Sequence, residues 1–409
     1  MQPHATLPVQ PWMTAPDARA TLDALAAAGI AARFVGGCVR DALAGRAVGD
    51  IDIAVDREPE AVMKALRAAA IKVVPTGIKH GTVTAVVAGK PFEITTLRRD
   101  VETFGRHARV AFTDDWRADA ARRDFTINAM SCDRDGGLWD FFGGRDDLAA
   151  GRVRFVGDAA TRIDEDVLRI LRFFRFHAWF GRPPFDAAGL AACAAAAARL
   201  RDLSAERVRK ETLRLLEAPD PAPTVAAMAG IGLFAHWIPE YAGTALLDLV
   251  VANETRAVDV DGLRRLAALL APASDATAFG KRLRLSTQEA LRLEVMLAPT
   301  PALDVRDDPA IRRQIHELAR VLYLDRLMRF DAAADPARWA RARDLASTWD
   351  APELPVGGAD ALAAGMKAGP KVGALISALE AWWVAGDFAA GREACLAELR
   401  RRIAAGDHA

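Results

Sequence analysis

Asp50 and Asp52 stand two residues apart in DIDIAV (50–55), a run whose alternation of acid and isoleucine reads as a β-strand. Residues at i and i+2 of a strand project from one face, so the two carboxylates share a side while Ile51 and Ile53 turn to the buried one. Carboxylates held that close repel unless a cation lies between them, and paired oxygen ligands suit Mg²⁺. Just upstream, FVGG (34–37) ends a strand and opens a helix, so backbone N–H groups after Gly36 and Gly37 face whatever anion sits there, a triphosphate for example. Arg40, one turn further on, can add a charge-assisted bond. Alone, either feature is commonly a tight turn or a solvated strand face. In this order they suit metal-assisted nucleotidyl transfer, in which one ion lowers the pKa of an attacking hydroxyl and another steadies the leaving pyrophosphate. Glu93, in PFEITTL (91–97), supplies a third carboxylate if its strand pairs nearby. No G-x-x-x-x-G-K-[ST] string occurs, so a P-loop is unsupported.

Two later strings carry more charge. RRDFTINAM (122–130) sets Arg122, Arg123 and Asp124 ahead of Asn128. On local grounds Asp124 caps a helix FTINAM and the arginines pair with nearby acids. In DEDVLRILRFFRFHAWF (164–180), read as one helix, Asp166 and Arg169 are i, i+3 neighbours on one face. Such a pair is commonplace on a surface helix. Arg172 and Arg175 continue at three-residue steps, and Phe173 and Phe176 interleave and are expected to bury.

The elements that position these residues fall into two regimes. Up to about residue 150, the strand-like runs above and IKVVP (71–75) and GTVTAVVAG (81–89) alternate with helices at 18–29 and 58–69. From about Asp158 onward the pattern is helical, including 188–203 and a helix over 204–218 with Ser204 as its N-cap. PDPAP (219–223) and APELPVGGAD (351–360) interrupt it, and Trp382 and Trp383 lie in the last block. The expected fold is α+β: a small mixed-sheet head (1–150) followed by all-helical segments at 151–220, 221–350 and 351–409.

Composition sets outer limits. With 409 residues, 52% of them hydrophobic, the chain can bury real cores. Lys+Arg and Asp+Glu are both 54, which excludes a globally basic nucleic-acid binder but leaves room for a local basic groove. All but 8 of the basic residues are arginine, whose planar fork suits phosphates and base edges, although a GC-rich coding bias accounts for most of that preference. The four cysteines are far apart, against a zinc site or disulfide framework. The longest uncharged stretch, 19 residues between Asp220 and Glu240, holds three prolines and two glycines and cannot form one spanning helix. No signal pattern opens the chain. A soluble cytoplasmic protein without membrane association is expected.

Taken together the strings resemble the class II tRNA nucleotidyltransferase and bacterial poly(A) polymerase family, within the polymerase-beta-like superfamily. The resemblance runs over residues 30–240 through GGCVRDALAGR…DID (36–52), PTGIKHGTVT (75–84), FEITTLR (92–98), RRDFTINAM, EDVLRILRFFRF (165–176) and MAGIGLFAHWIPE (228–240). Beyond about residue 240 only a helical character matches. Two departures stand out: Gly157-Asp158-Ala159 replaces the family's frequent Gly-Asp-Pro, and Ile163 replaces a Phe; neither removes a polar contact.

The resemblance implies a template-independent enzyme that adds C, C and A from CTP and ATP to the tRNA 3′ end, with release of pyrophosphate and Mg²⁺ as cofactor. Asp50 and Asp52 would hold the ions, and Gly37 and Arg40 would contact the nucleotide at the turn that Gly36 opens. Arg123, Asp166, Arg169, Arg172 and Arg175 fall on positions that bind ATP or CTP; Arg122, Asp124 and Asn128 belong to the same motif. It also implies a catalytic head, a base-recognising neck, and an RNA-binding body and tail, with the tRNA acceptor end as partner and no obligate protein partner.

Cytosine and adenine each present an exocyclic amine beside an unprotonated ring nitrogen. A carboxylate (Asp166) accepting from the amine and an arginine (Arg169) donating beside it would admit both, whereas uracil and guanine put a carbonyl against the carboxylate, at roughly 1–3 kcal/mol per wrong edge. The polar segment 98–116, with Gly105, occupies the place of the family's flexible loop, and its length speaks against a CC-only enzyme. Arg199, Arg201, Arg207, Arg209 and Lys210 form a candidate phosphate-binding face. None of the seven histidines precedes an Asp, so an appended His-Asp phosphohydrolase is not indicated. The alternatives are a poly(A) polymerase or partial adder on the same scaffold, and a non-catalytic RNA-binding relative; the intact Asp50 and Asp52 argue against the last.

Overall fold

In chain order the computed structural model has strands β1 (Ala5–Thr6), β2 (Ala32–Val35), β3 (Asp52–Val55), β4 (Lys72–Gly77), β5 (Thr82–Val87), β6 (Lys90–Thr96), β7 (Arg98–Phe104), β8 (His107–Phe112), β9 (Met130–Cys132) and β10 (Gly137–Asp140). It describes residues 2–104, 107–272, 274–298, 303–330 and 332–406, apart from the side chains at 79 and 100–110. Eight strands form one mixed sheet in the order β1-β10-β9-β2-β3-β6-β5-β4. Its neighbours are antiparallel except β3 and β6, which run parallel with Asp52 opposite Glu93. The strand beside Asp52 is thus the one carrying Glu93.

Helices α1 (Pro16–Ala27), α2 (Gly37–Leu43) and α3 (Pro59–Ala68) accompany the sheet, and Leu22, Leu25, Phe34, Ile53, Leu66 and Ile94 fill the core with them. Pro at the first turn of α1 and α3 starts each where its missing N–H costs nothing. The strand-like runs read from sequence all appear, each within a few residues, although β3 begins at Asp52 and leaves Asp50 in the preceding loop. Within segment 98–116, β7 pairs antiparallel with β8, and α4 (Trp116–Ala121) begins at its last residue; Gly105 lies outside the described residues.

FTINAM differs from its expected helix: Thr126–Asn128 is a single 3₁₀ turn and Met130 already belongs to β9. Asp124 still accepts from the Phe125 N–H and the Asn128 side chain, so the cap forms without a helix to follow. After α5 (Gly144–Ala150), the run 164–180 also departs from one helix. It is broken into α6 (Ala159–Glu165) and α7 (Arg169–Phe180), with Asp166 in extended conformation between them. Helices α8 (Ala187–Ala196), α9 (Ala205–Leu216) and α10 (Ala222–Gly230) follow; Ser204 sits at the start of α9 but makes no side-chain cap.

Two units emerge, Met1–Tyr241 and Ala242–Ala409. The second is helical, and among its apolar clusters one lies around Tyr323, Leu327 and Trp339 and another around Leu375, Trp383 and Leu399. Among the described residues no helix is long and apolar enough to cross a membrane.

Candidate active site

Asp50, Asp52 and Glu93 line one cleft of about 710 Å³ in the first unit. The β3–β6 register sets Asp52 and Glu93 side by side, and the loop before β3 brings Asp50 to the same cleft. Ile53 and Ile94, the next residues on each strand, are fully buried, so the alternation that sinks the isoleucines also holds the acids outward. Among the described residues none of the three carboxylates has an ion-pair partner, whereas neighbouring Lys90 and Asp17 pair at 2.8 Å. Burial and the charges of Glu93 and Asp50 raise the Asp52 pKa against the opposing pull of Arg123. Unrelieved repulsion of this kind fits a divalent cation. The three do not form a closed cage: among the described residues no group of three acids, histidines or cysteines converges tightly enough to hold an ion unaided.

Gly36 shows why a glycine is needed at the turn. Its φ is 71°, in the left-handed region, and a Cβ there would lie 2.8 Å from the Arg123 guanidinium. Arg123 thus sits over the turn between β2 and α2 while its charge acts on Asp52. Its guanidinium and that of Arg122 both donate to Asp119, at 3.3 and 2.9 Å, the local pairing expected at i, i+4 and i, i+3. Gly37 begins α2, and Arg40 lies in the same helix. The Arg40 donors are engaged rather than free: Nε and Nη2 reach Asp41, Nη1 reaches the Asn128 side-chain oxygen at 2.7 Å, and the guanidinium lies 4.4 Å over Phe180.

From Asn128 the network continues. Its amide donates to Asp124, and Asp124 accepts from Arg172 Nε at 2.7 Å. Asp124 is buried, yet Arg172 and Asn128 outweigh that burial and lower its pKa. Arg172 and Arg175 both reach Glu211 on α9. Beneath them Phe125, Phe155, Phe173 and Phe176 form an aromatic cluster, with Phe155 and Phe173 stacked at 5.5 Å. Phe173 and Phe176 are buried as the periodicity requires.

The structure corrects the expected Asp166–Arg169 face. Asp166 lies outside both helices, where its carboxylate accepts from the Leu168 N–H and its carbonyl from the Arg169 N–H. A short acid that bonds its own backbone ahead competes with helix propagation, which ends α6 and starts α7. The carboxylate pairs with Arg207 of α9 at 2.6 Å, and Arg169 pairs with Glu165. Arg169 also donates to the Arg162 and Arg122 carbonyls, and Arg162 to those of Ala121 and Arg123. The α6–α7 segment is therefore tied to the backbone that carries Arg122 and Arg123.

Sequence reasoning missed Asp41, Asp119, Glu165 and Glu211, the acids that hold these arginines. Asp119 and Glu165 were legible at i, i+3 and i, i+4; Glu211, 36 residues from Arg175, left no local signal. The candidate phosphate face is partly spent: Arg199 pairs with Asp164 and Arg207 with Asp166, while Arg201 and Lys210 remain exposed.

Residues 32–154 match the family described as the poly A polymerase head domain, and residues 185–243 that described as the probable RNA and SrmB-binding site of polymerase A. The chain is 32% identical to the mitochondrial CCA tRNA nucleotidyltransferase 1 of Mus musculus, over 90% of this chain and 86% of that one. It is 33% identical to the CCA-adding enzyme of Lacticaseibacillus paracasei, over 91% and 94% of the two chains. Among solved structures, it resembles the Bacillus stearothermophilus CCA-adding enzyme in complex with CTP, with TM-score 0.78, 29% identity, and 96% and 98% of the two chains covered.

Proposed function

The chain belongs to the family of CCA-adding tRNA nucleotidyltransferases, and from that premise we propose that its first unit builds the tRNA 3′ end from CTP and ATP without a nucleic-acid template. The terminal hydroxyl of the RNA attacks the α-phosphorus of the nucleotide, the new phosphodiester forms, and pyrophosphate leaves. The observation that carries this reading is the placement of Arg123. It lies over the Gly36 turn, acts on Asp52, and has its carbonyl held by Arg162 of the α6–α7 segment. One residue thus joins the acidic cleft to the segment that contains Asp166 and Arg169.

In this reading Asp50 and Asp52 would hold the divalent ions, Mg²⁺, with Glu93 adding charge to the cleft. The ions supply Lewis-acid stabilisation of the phosphoryl oxygens when bound. The backbone at Gly36 and Gly37, with Arg123, cradles phosphates; Arg40, Asp124, Asn128, Arg172 and Arg175 hold the surrounding shape; Arg122 anchors Arg169 through its carbonyl. Asp166 and Arg169 read the base edge once Arg207 and Glu165 yield their places. We assign residues 1–150 to catalysis, 151–220 to base recognition, and 221–350 and 351–409 to RNA binding. Four free, buried cysteines support a reducing cytoplasmic setting.

The test is nucleotide-resolved extension of tRNA transcripts ending at the discriminator base, C or CC, with CTP, ATP or both. Growth that halts at CCA is the expected outcome. Long A tracts, a stop at CC, or no incorporation would each contradict it.

A further inference from the structure

The arginines around Asp124 and Asp166 face carboxylates, but a neighbouring group does not. A second cleft of about 470 Å³ in the first unit carries Arg46, Arg145 and Arg182 together with Trp179, Phe180 and Leu148, and no acidic residue lines it. Among the described residues no carboxylate pairs with these three guanidinium groups. Arg46 is held in place, its Nη2 donating to the Trp179 carbonyl at 2.5 Å and its guanidinium lying 4.5 Å over Phe180. Arg145 and Arg182 are exposed. On a chain of net charge zero, in which acids accompany the site arginines, this is a concentration of positive charge left for a partner.

Its position narrows the partner. The loop between α2 and β3 lines this cleft at Ala44 and Arg46 and the acidic cleft at Gly49 and Asp50. Only Ala47, Val48 and Gly49 lie between Arg46 and Asp50, which places their Cα atoms at most about 14 Å apart even fully extended. We propose that the Arg46–Arg145–Arg182 cleft binds backbone phosphates of the RNA strand that is being extended, within a few nucleotides of its 3′ end, with Trp179 offering ring surface to its bases. Arginine forks suit phosphate oxygens, and the absence of acids from the lining removes the competition that the Asp124 cluster has built in. The inference rests on the CCA-adding reading of the same unit.

The test compares the full chain with Arg145→Glu/Arg182→Glu, using a tRNA transcript ending in CC. RNA affinity is measured by fluorescence anisotropy over a salt series, and KM is determined separately for the RNA and for the nucleotide. The proposal predicts that RNA affinity falls at least ~10-fold near 0.1 M salt, that the salt dependence becomes shallower by about one to two in logarithmic slope, and that the nucleotide KM moves less than about two-fold. An unchanged RNA affinity and slope would overturn it, as would a rise confined to the nucleotide KM. Wild-type chain that extends no RNA would instead defeat the underlying reading. The Arg182 stem packs on Gly151, so should the double reversal unfold, Arg145→Glu alone gives the same readout with a smaller shift, and no shift in that folded variant would overturn the proposal.

Discussion

The acidic cleft and the arginine cluster lie in the same unit and handle charge in opposite ways. Asp50, Asp52 and Glu93 line one cleft without an ion-pair partner among the described residues, and Asp52 is held above its ordinary range by burial and like charge that outweigh the pull of Arg123. A short way along the network, Asp124, Glu165, Glu211 and Asp166 each meet an arginine, and Asp124 is held below its range. Charge left unpaired costs stability and marks where a ligand supplies what the protein omits. Charge already paired fixes shape, and it takes part in recognition only by exchanging one partner for another.

Substitutions should separate the two. Asp52→Asn should lower kcat on the order of 10³-fold while leaving the urea midpoint unchanged or slightly raised, because it removes a repelled carboxylate; a fall in stability would break the comparison. Asp124→Ala should do the reverse in stability, costing about 1.5–3 kcal/mol by removing the buried acid shared by Asn128 and by Arg172, which keeps Glu211, as read from urea unfolding. Loss of well under 1 kcal/mol would mean that the cluster is not structural.

The pH dependence follows in sign. A carboxylate whose folded pKa lies below its unfolded value contributes stability that is present above the unfolded pKa and lost as pH falls through the folded one. Asp124 and Asp119 are both lowered, so the urea midpoint should decline below about pH 4, and Asp124→Asn should flatten that decline. The smallest effect is expected at Arg207. It occupies the Asp166 carboxylate, and Arg207→Ala should lower the nucleotide KM a few-fold by removing that competitor. A raised KM would make Arg207 a support for Asp166 instead.

Much of this was legible in the residues. The strands reveal themselves through alternation, and Asp52 and Glu93 each precede an isoleucine that the core takes, so both acids face outward. Their adjacency depended on whether β3 pairs with β6, a non-local choice that neither string encodes. The break at Asp166 was hidden for a different reason: apolar and basic residues keep helical spacing throughout 164–180, and only the Asp166 carboxylate, turned to the Leu168 N–H, departs from it. FTINAM likewise reads as helical, but β9 takes its last residue into the sheet. Tertiary pairing overrode local propensity in FTINAM, whereas at Asp166 a local side-chain-to-backbone bond did so. Glu211 was invisible because its partners lie on another helix.

In the proposed division of labour the acidic cleft performs transfer while Asp166 selects the base. Single-turnover incorporation of CTP, ATP, UTP and GTP into tRNA transcripts, run in parallel for Asp166→Ala and Asp52→Asn, tests it most directly. Asp166→Ala is expected to narrow discrimination against UTP and GTP by roughly 1–3 kcal/mol, while Asp52→Asn slows every nucleotide alike and keeps the order of preference. Unchanged discrimination in Asp166→Ala, or altered preference in Asp52→Asn, would contradict it.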